Sequence, residues 1–163
     1  GLTQNEVDEM LNYYKIDIDK KILKEWYNNY IFNEDSTAIY NSDMILYFIS
    51  NYLSEGKIPR EMIDINVRSD YSKLRHIIYT NGKLNGNFDT LRDLIAGESI
   101  SLNNLVQDFS ALNLEEENNF KSLLFYLGLT TIKNREFDLN FHIPNETVKR
   151  IDMDFLQDSL KLE

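Results

Sequence analysis

The stretch from Asn119 to Val148, NFKSLLFYLGLTTIKNREFDLNFHIPNETV, contains three different local patterns in succession. Apolar residues first recur at helical spacing, and Gly128 then supplies the residue type that helices favour just past their end. From Phe137 to Ile143 apolar residues alternate with polar ones, which is the two-residue period of a strand and predicts a hairpin with one buried face. Pro144 blocks further strand pairing, and Asn145 is a good N-cap for a final helix. A helix, a hairpin and a second helix in this order are typical of a winged-helix unit.

Helices are predicted along most of the remaining chain. Thr3 and Glu6 have the spacing of a capping box, and Asp19 is predicted to cap a second helix. The predicted helical segments are residues 4–14 and 18–27, a helix that is capped by Asn41 or Ser42 and ends near Gly56, residues 70–79 with Ser69 as the cap, residues 88–96, and a short helix capped by Ser101. Between residues 26 and 41, aromatic and β-branched runs flank a turn-forming cluster, which predicts a small irregular hairpin.

The predicted fold is therefore mainly α and has two parts. Residues 57–67 contain Pro59 and no clean period, which favours a connection there. We predict a helical subdomain at residues 1–66, called the first half below. We predict a winged-helix-like unit with a small β-hairpin at residues 67–163, called the second half.

Composition limits the classes of function. The chain has 163 residues, of which 42% are hydrophobic, a formal net charge of −10 and no cysteine. No run approaches the ~20 apolar residues that span a bilayer, and no basic-then-apolar leader opens the sequence. A soluble, cytoplasmic protein with no membrane partner is predicted. Because the net negative charge repels phosphate backbones, nucleic acid is disfavoured as a partner.

The dipeptide Gly82-Lys83 has part of the pattern of a phosphate-binding loop. That motif requires a glycine five residues before its second glycine and a Ser or Thr after the lysine. The corresponding positions are Ile77 and Leu84. A plain loop is predicted instead.

Two acidic clusters have part of the pattern of a metal-dependent nuclease. Residues 55–57 match the acid-x-lysine half of a restriction-type site, in which a carboxylate binds a divalent metal. Such a site needs a further acid on a neighbouring strand, whereas Glu55 lies at the end of a predicted helix. Asp17, Asp19 and Lys21 form a similar cluster, in which Asp19 is better explained as a helix cap. A divalent-metal nuclease is therefore disfavoured.

His76 and His142 are the only histidines. Neither has a second ligand at short spacing, and a zinc site needs three or four. Solvated or capping roles are predicted for both. The sequence thus predicts no catalytic, cofactor-binding or metal-binding residue in this chain, and no enzyme activity.

A winged helix can read DNA through one helix and its hairpin, so a free-standing DNA-binding regulator remains an alternative. The candidate recognition helix begins Leu114-Glu115-Glu116-Glu117. Three carboxylates at this N-terminal end interact favourably with the helix dipole, but they would repel phosphates. Protein docking is the better use of such a unit.

Five phrases of the sequence have counterparts, in the same order, in one bacterial family. They are GLTQNEV at 1–7, WYNNY at 26–30, IYNS at 39–42, LLFYLGLT at 123–130 and IPNE at 143–146. Together they resemble the predicted AAA-ATPase-like proteins that carry a PD-(D/E)XK nuclease-like domain at the C-terminus. The family wording differs at five positions, which are Leu2, Asn28, Asn29, Ser42 and Leu129.

The resemblance implies that this chain corresponds to a middle piece of such a protein. In the family, the phosphate loop and the Walker B strand precede the first phrase, and the nuclease-like domain follows the last. No family catalytic residue can be carried onto this sequence. The resemblance implies a non-catalytic fragment that couples or docks an ATPase module to a nuclease-like module, with these two domains as its partners.

Clustered aromatic residues in the second phrase are the predicted docking surface for the ATPase-like domain, because aromatic side chains are strong interface anchors. They are Trp26, Tyr27, Tyr30 and Phe32. The alternative is that all four belong to the core, since Trp26 continues the inward-facing stripe of Ile22 and Leu23.

Overall fold

The computed structural model describes residues 1–75, 79, 87–108 and 116–161. Within these ranges the chain is mainly helical, as predicted, with seven helices and a small antiparallel sheet of three strands. The helices are α1 (Gln4–Tyr13), α2 (Lys20–Tyr27), α3 (Ser42–Glu55), α4 (Ile65–Lys73), α5 (Phe88–Ile95), α6 (Glu117–Tyr126) and α7 (Glu146–Lys161). The strands are β1 (Ile100–Leu102), β2 (Thr131–Arg135) and β3 (Leu139–His142). None of the helices in these ranges is long and apolar enough to cross a membrane.

The ends of the first three helices are set by local capping. Thr3 and Glu6 form the predicted capping box, in which each side chain accepts a hydrogen bond from the other residue's backbone N–H. Asp19 caps α2 and Asn41 caps α3 through their side-chain oxygens. Gly56 ends α3 in the left-handed conformation, with a φ of 71°. The local rules therefore predicted these boundaries correctly.

The first three helices enclose one hydrophobic core. Tyr27 of α2 and Phe48 of α3 are fully buried at its centre, with their rings edge to face at 6.4 Å. Val7 and Leu11 contribute the inward face of α1. Truncating a buried Phe such as Phe48 to Ala typically costs ~3–5 kcal/mol of unfolding free energy.

The sheet has the strand order β1-β3-β2, with both neighbouring pairs antiparallel. The predicted hairpin is present as β2 and β3, and Leu139 and Phe141 are the buried residues of the alternating strand β3. The prediction of a short helix capped by Ser101 was wrong, because Ser101 lies in β1 opposite Asn140. Hydrogen bonds to β3 hold this three-residue segment as a strand, and a local sequence rule does not show that long-range pairing.

Helix α4 begins earlier than predicted. Its N-cap is Asp64, whose side chain accepts a hydrogen bond from the backbone N–H of Asn66 at 2.9 Å, so the assignment of Ser69 as the cap was wrong. No residue of α4 is buried, and for this reason it lacks the apolar period that marks a helix in sequence. The predicted boundary between residues 66 and 67 falls inside this helix, and part of the predicted 70–79 helix lies outside the described residues.

The predicted hairpin between residues 26 and 41 is reduced to single bridges. Helix α2 continues to Tyr27, after which Tyr30 pairs with Ile39 and Leu2 pairs with Tyr40, each as an isolated antiparallel bridge. Two single backbone pairings therefore hold residues 30–40, one within the segment and one to Leu2 before α1. They do not form a regular two-stranded ladder.

The second hydrophobic core lies between the sheet and helices α5, α6 and α7. Leu91, Phe120, Phe141 and Phe155 are buried in it. Tyr30, from the first half, belongs to this second core. Helix α7 packs against α2, α4 and α5, so it contacts elements on both sides of the connection.

Three residues lie where helices or strands of the second half end or begin. Gly128 follows α6 with a φ of 75°, the left-handed conformation expected of a helix stop. Pro144 lies after the end of β3 and is buried. The side-chain oxygen of Asn145 accepts from the backbone N–H of Val148 at 3.1 Å, which caps α7 as predicted.

Candidate functional site

The segment Trp26–Phe32, called the aromatic segment below, joins the end of α2 to the second core. Tyr27 is fully buried in the first core, where its hydroxyl donates to the carbonyl of Met62 at 2.5 Å. Burial raises the pKa of the Tyr27 phenol. Tyr30 is buried in the second core, and burial raises the pKa of its phenol as well. These two rings have little or no surface for another protein.

Trp26 lies at the contact between α2 and α7. Its ring is partly buried and packs against the first core. The guanidinium of Arg150 lies 5.7 Å from the ring centroid, and Arg150 Nε is 2.9 Å from Glu146 Oε1. The arginine therefore contacts an aromatic face and a carboxylate together, an arrangement that stabilises a partly desolvated cation.

Hydrogen bonds fasten the backbone of the aromatic segment to the second half. Thr147 Oγ1 donates to the carbonyl of Trp26 at 2.6 Å. Asn145 Nδ2 donates to the carbonyl of Asn28 at 2.8 Å, and Asn29 Nδ2 donates to the carbonyl of Pro144 at 3.1 Å. Asn29 has a positive φ of 77°, which turns the chain at this point. The segment is thus held against the start of α7 at three residues, Trp26, Asn28 and Asn29.

The next residues of the segment lie along the outer edge of β2. Thr131 Oγ1 accepts from the backbone N–H of Ile31 at 2.6 Å and donates to its carbonyl at 2.8 Å. The backbone N–H of Ile132 also donates to the carbonyl of Ile31, at 3.3 Å. A single residue of the first half therefore bonds to two residues of the sheet.

Phe32 is the exposed member of the four predicted docking residues, with 54% of its surface accessible. Its ring stacks on Tyr30 at 6.3 Å and meets Phe125 edge to face at 6.5 Å. Phe125 in turn contacts Tyr126, which is 49% exposed. The rings of residues far apart in sequence thus form one continuous group.

Phe137 lies at the tip of the hairpin and is 87% exposed. Arg135 connects this tip to the turn after Phe32, because its Nε binds Glu34 Oε1 at 2.7 Å and its Nη1 donates to the carbonyl of Phe137 at 3.4 Å. We call the set Phe32, Phe125, Tyr126 and Phe137 the aromatic surface; Phe125 is its buried base and the other three rings are exposed. Phe32 and Tyr126 are connected through Phe125, and Arg135 ties the tip that carries Phe137 to the turn after Phe32. Exposed aromatic rings are typical of a protein-docking region.

A cavity of about 280 Å³ lies beside Phe32. Its lining comes from both halves and includes Gly1, Tyr30, Tyr40, Tyr71 and Gly128. The hydroxyl of Tyr71 donates to the carbonyl of Leu127 at 2.9 Å, and burial raises the pKa of Tyr71 to about 12. The phenol is therefore neutral at physiological pH and serves as a hydrogen-bond donor.

The acidic and basic residues that partly match a nuclease motif lie at the ends of helices. Glu55 and Lys57 are exposed on either side of Gly56, at the end of α3. Asp19 Oδ1 accepts from the backbone N–H of Lys21 as the cap of α2. Within the described residues, no three His, Asp or Glu side chains are grouped so that they could hold a metal ion.

The remaining residues that were considered for a functional role are the two histidines and the Gly82-Lys83 dipeptide. His142 is half-buried in β3, where burial first and Lys133 second lower the pKa of its imidazole. A depressed pKa keeps this ring neutral near pH 7. His76, Gly82-Lys83 and the first two residues of the predicted recognition helix, Leu114 and Glu115, lie outside the described residues. The rest of that helix is α6, which begins at Glu117.

Asp152 of α7 is a functional candidate that the sequence interpretation missed. It is fully buried, and neither carboxylate oxygen has a hydrogen-bond partner in the described part of the chain. Desolvation raises the pKa of this carboxyl well above its usual value. An inward position was visible in sequence, because Asp152 lies four residues after Val148 and three before Phe155 on the apolar face of the helix.

Comparison of this chain with protein-family models, curated proteins and solved structures found no match.

Proposed function

We propose that this chain is a non-catalytic coupling module that docks an ATPase-like domain and transmits its position to a nuclease-like domain, in a protein of the family that the sequence resembles. Within this proposal the second half is a winged-helix-like unit used for protein contacts. The observation that carries the proposal is the fastening of the aromatic segment, which leaves Phe32 exposed while the residues before it are bonded to the second half.

The fastening supports coupling because it leaves few ways for the halves to move apart. The backbone of the segment is bonded through Thr147, Asn145 and Thr131. Each buried hydrogen bond of this kind contributes ~1 kcal/mol, and leaving its partner unsatisfied costs ~1–3 kcal/mol. A displacement of α2 would therefore have to break these bonds or move α7 and β2 with it.

The position of Gly1 supports Phe32 as part of the docking site. Gly1 and Phe32 line the same cavity. In the family that the sequence resembles, the ATPase-like domain precedes the phrase that begins at Gly1. A domain joined there would lie next to Phe32.

The charges around the hairpin disfavour the alternative of a DNA-binding regulator. Arg135, the cation nearest the tip, is bound to Glu34. Glu136 and Asp138 flank Phe137 at the tip itself. A hairpin that entered a DNA groove would bring these carboxylates against phosphates, where like charges repel.

The reading frame around this sequence gives the first test. The proposal requires a phosphate loop and a Walker B strand upstream and a nuclease motif downstream. A frame that encodes neither would contradict it.

Binding of the encoded upstream domain gives the second test. Phe32→Ser is expected to weaken its association with the chain by roughly tenfold, the effect of losing one aromatic anchor. Tyr13→Ser, which removes an exposed ring from α1, is the matched control and should leave the affinity unchanged. Equal effects of the two substitutions would contradict docking at Phe32, and sub-micromolar binding of duplex DNA lost on reversing Lys133 and Arg135 would favour the regulator.

A further inference from the structure

Carboxylates lie next to two exposed rings of the aromatic surface, Phe32 and Phe137, along the chain. The turn that contains Glu34 and Asp35 follows Phe32, and Glu136 and Asp138 lie at the hairpin tip. Among the described residues, Arg135 is the cation that lies between them, and its Nε binds Glu34. Four carboxylates and one guanidinium give this region a net formal charge of −3.

We infer that the aromatic surface binds a cationic segment of a protein partner, whose Arg or Lys side chains lie on the exposed rings and pair with the neighbouring carboxylates. This inference rests on the proposed docking function and adds the chemistry of the partner. The rings accept cations through their faces, and the carboxylates favour the same cations by charge.

The chain already contains one example of this combination. Arg150 lies over the ring of Trp26 at 5.7 Å while its Nε contacts Glu146 at 2.9 Å. An aromatic face and a carboxylate thus hold an arginine between them within the fold. On the aromatic surface, exposed rings and carboxylates lie together again, so a partner can supply the cations.

Other occupants fit the same surface less well. A phosphate-bearing partner would meet four carboxylates. An uncharged apolar partner would cover those carboxylates without neutralising them, and burying an unpaired charge is costly. A cationic segment with a few apolar residues satisfies both the rings and the charges.

The test measures binding of a short fluorescent peptide that alternates Arg with Leu and Gly to the whole chain, by fluorescence anisotropy in low and in high salt. A twin peptide with Gln in place of each Arg is the control for the cations. The Arg peptide is expected to bind at least roughly tenfold more tightly than the Gln peptide, and salt should weaken it.

Paired variants separate this surface from the overall charge of the protein. Glu136→Lys with Asp138→Lys should weaken binding by at least roughly tenfold, whereas Glu9→Lys with Asp17→Lys, which changes the net charge equally on exposed positions of the first half, should have a much smaller effect. Phe137→Ser should also weaken binding and Tyr13→Ser should not. Melting temperatures check that each variant is folded, and surface positions such as these are expected to tolerate substitution.

Each outcome decides the inference. Equal weakening by the two charge reversals would show that the peptide binds by net charge, and equal affinity of the Gln peptide would indicate an apolar partner. Either result would overturn the inference. If the upstream domain binds the chain but is insensitive to the reversal at Glu136 and Asp138, docking stands and the cationic partner is refuted. If the peptide discriminates but the upstream domain does not bind, the proposed function fails and the surface chemistry stands.

Discussion

Replacing Asp152 with asparagine is expected to stabilise the protein near neutral pH and to have little effect below a pH of about 4. Asp152 is fully buried without a hydrogen-bond partner among the described residues, and burial raises the pKa of its carboxyl. In the unfolded chain an Asp carboxyl titrates near ~3.9. Below that pH both states hold the proton, so the carboxyl does not make stability depend on pH.

Above that pH the unfolded chain loses the proton while the folded chain keeps it. The free energy of unfolding therefore falls by about 1.4 kcal/mol per pH unit until the pH reaches the raised pKa of the folded state. A carboxamide at this position does not titrate, so the advantage of Asp152→Asn should grow with that slope over the same window. The neighbouring Tyr71 phenol stays neutral throughout and adds no proton change.

Urea denaturation of both proteins across a pH series from about 3, below the pKa of an Asp in the unfolded chain, to neutrality measures this difference. Asp17→Asn, which changes an exposed carboxyl on the connection between α1 and α2, is the matched control for the loss of a carboxylate and should have little effect on stability near neutral pH. A flat difference for Asp152→Asn would show that folding does not raise the pKa of Asp152. A difference that favours Asp152 increasingly as the pH rises would show that the carboxylate is charged and stabilised in the fold.

Three further substitutions test other parts of the structure by their effect on the midpoint of urea unfolding. Gly128→Val should cost more than ~1 kcal/mol, because a branched side chain is strained at a φ of 75°, and an unchanged midpoint would contradict the assigned helix stop. Tyr27→Phe should cost ~1–2 kcal/mol, since it leaves the buried carbonyl of Met62 without its donor, and a neutral result would argue against that hydrogen bond. Thr131→Val should cost ~1–3 kcal/mol by removing both hydrogen bonds to Ile31, whereas Thr37→Val at an exposed position should be nearly neutral.

Features with local causes were predictable from sequence. The capping box at Thr3, the caps at Asp19 and Asn145 and the helix stop at Gly128 depend on contacts within a few residues. The alternation of β3 was visible for the same reason, since it reports one buried face of a strand.

Features that depend on distant partners were not predictable in the same way. Strand β1 exists because β3 lies beside it, and its three residues carry no independent strand signal. Helix α4 buries none of its residues, so its start at Asp64 had no apolar period to mark it. Local rules assigned Ser69 as the cap because a serine side chain can accept the capping hydrogen bond. Asp64 can do so equally well, and it is the N-cap in the structure.

The candidate site also has a part that local sequence predicted and a part that depends on long-range packing. Clustered aromatic residues pointed to the aromatic segment, but sequence alone did not separate the buried rings of Tyr27 and Tyr30 from the exposed ring of Phe32. Tyr126 and Phe137 join Phe32 only through the packing of α6 and the hairpin against the first half. No spacing rule links residues so far apart.

The hydrogen bonds between Ile31 and β2 also protect the protein against aggregation. An uncovered strand edge is a template for pairing with another chain, and natural sheets shield such edges. Here the backbone of Ile31 occupies the outer edge at Thr131 and Ile132, so the first half shields the sheet of the second. A second half prepared without residues 1–66 would present this edge to its own copies, and we expect it to self-associate more than the whole chain.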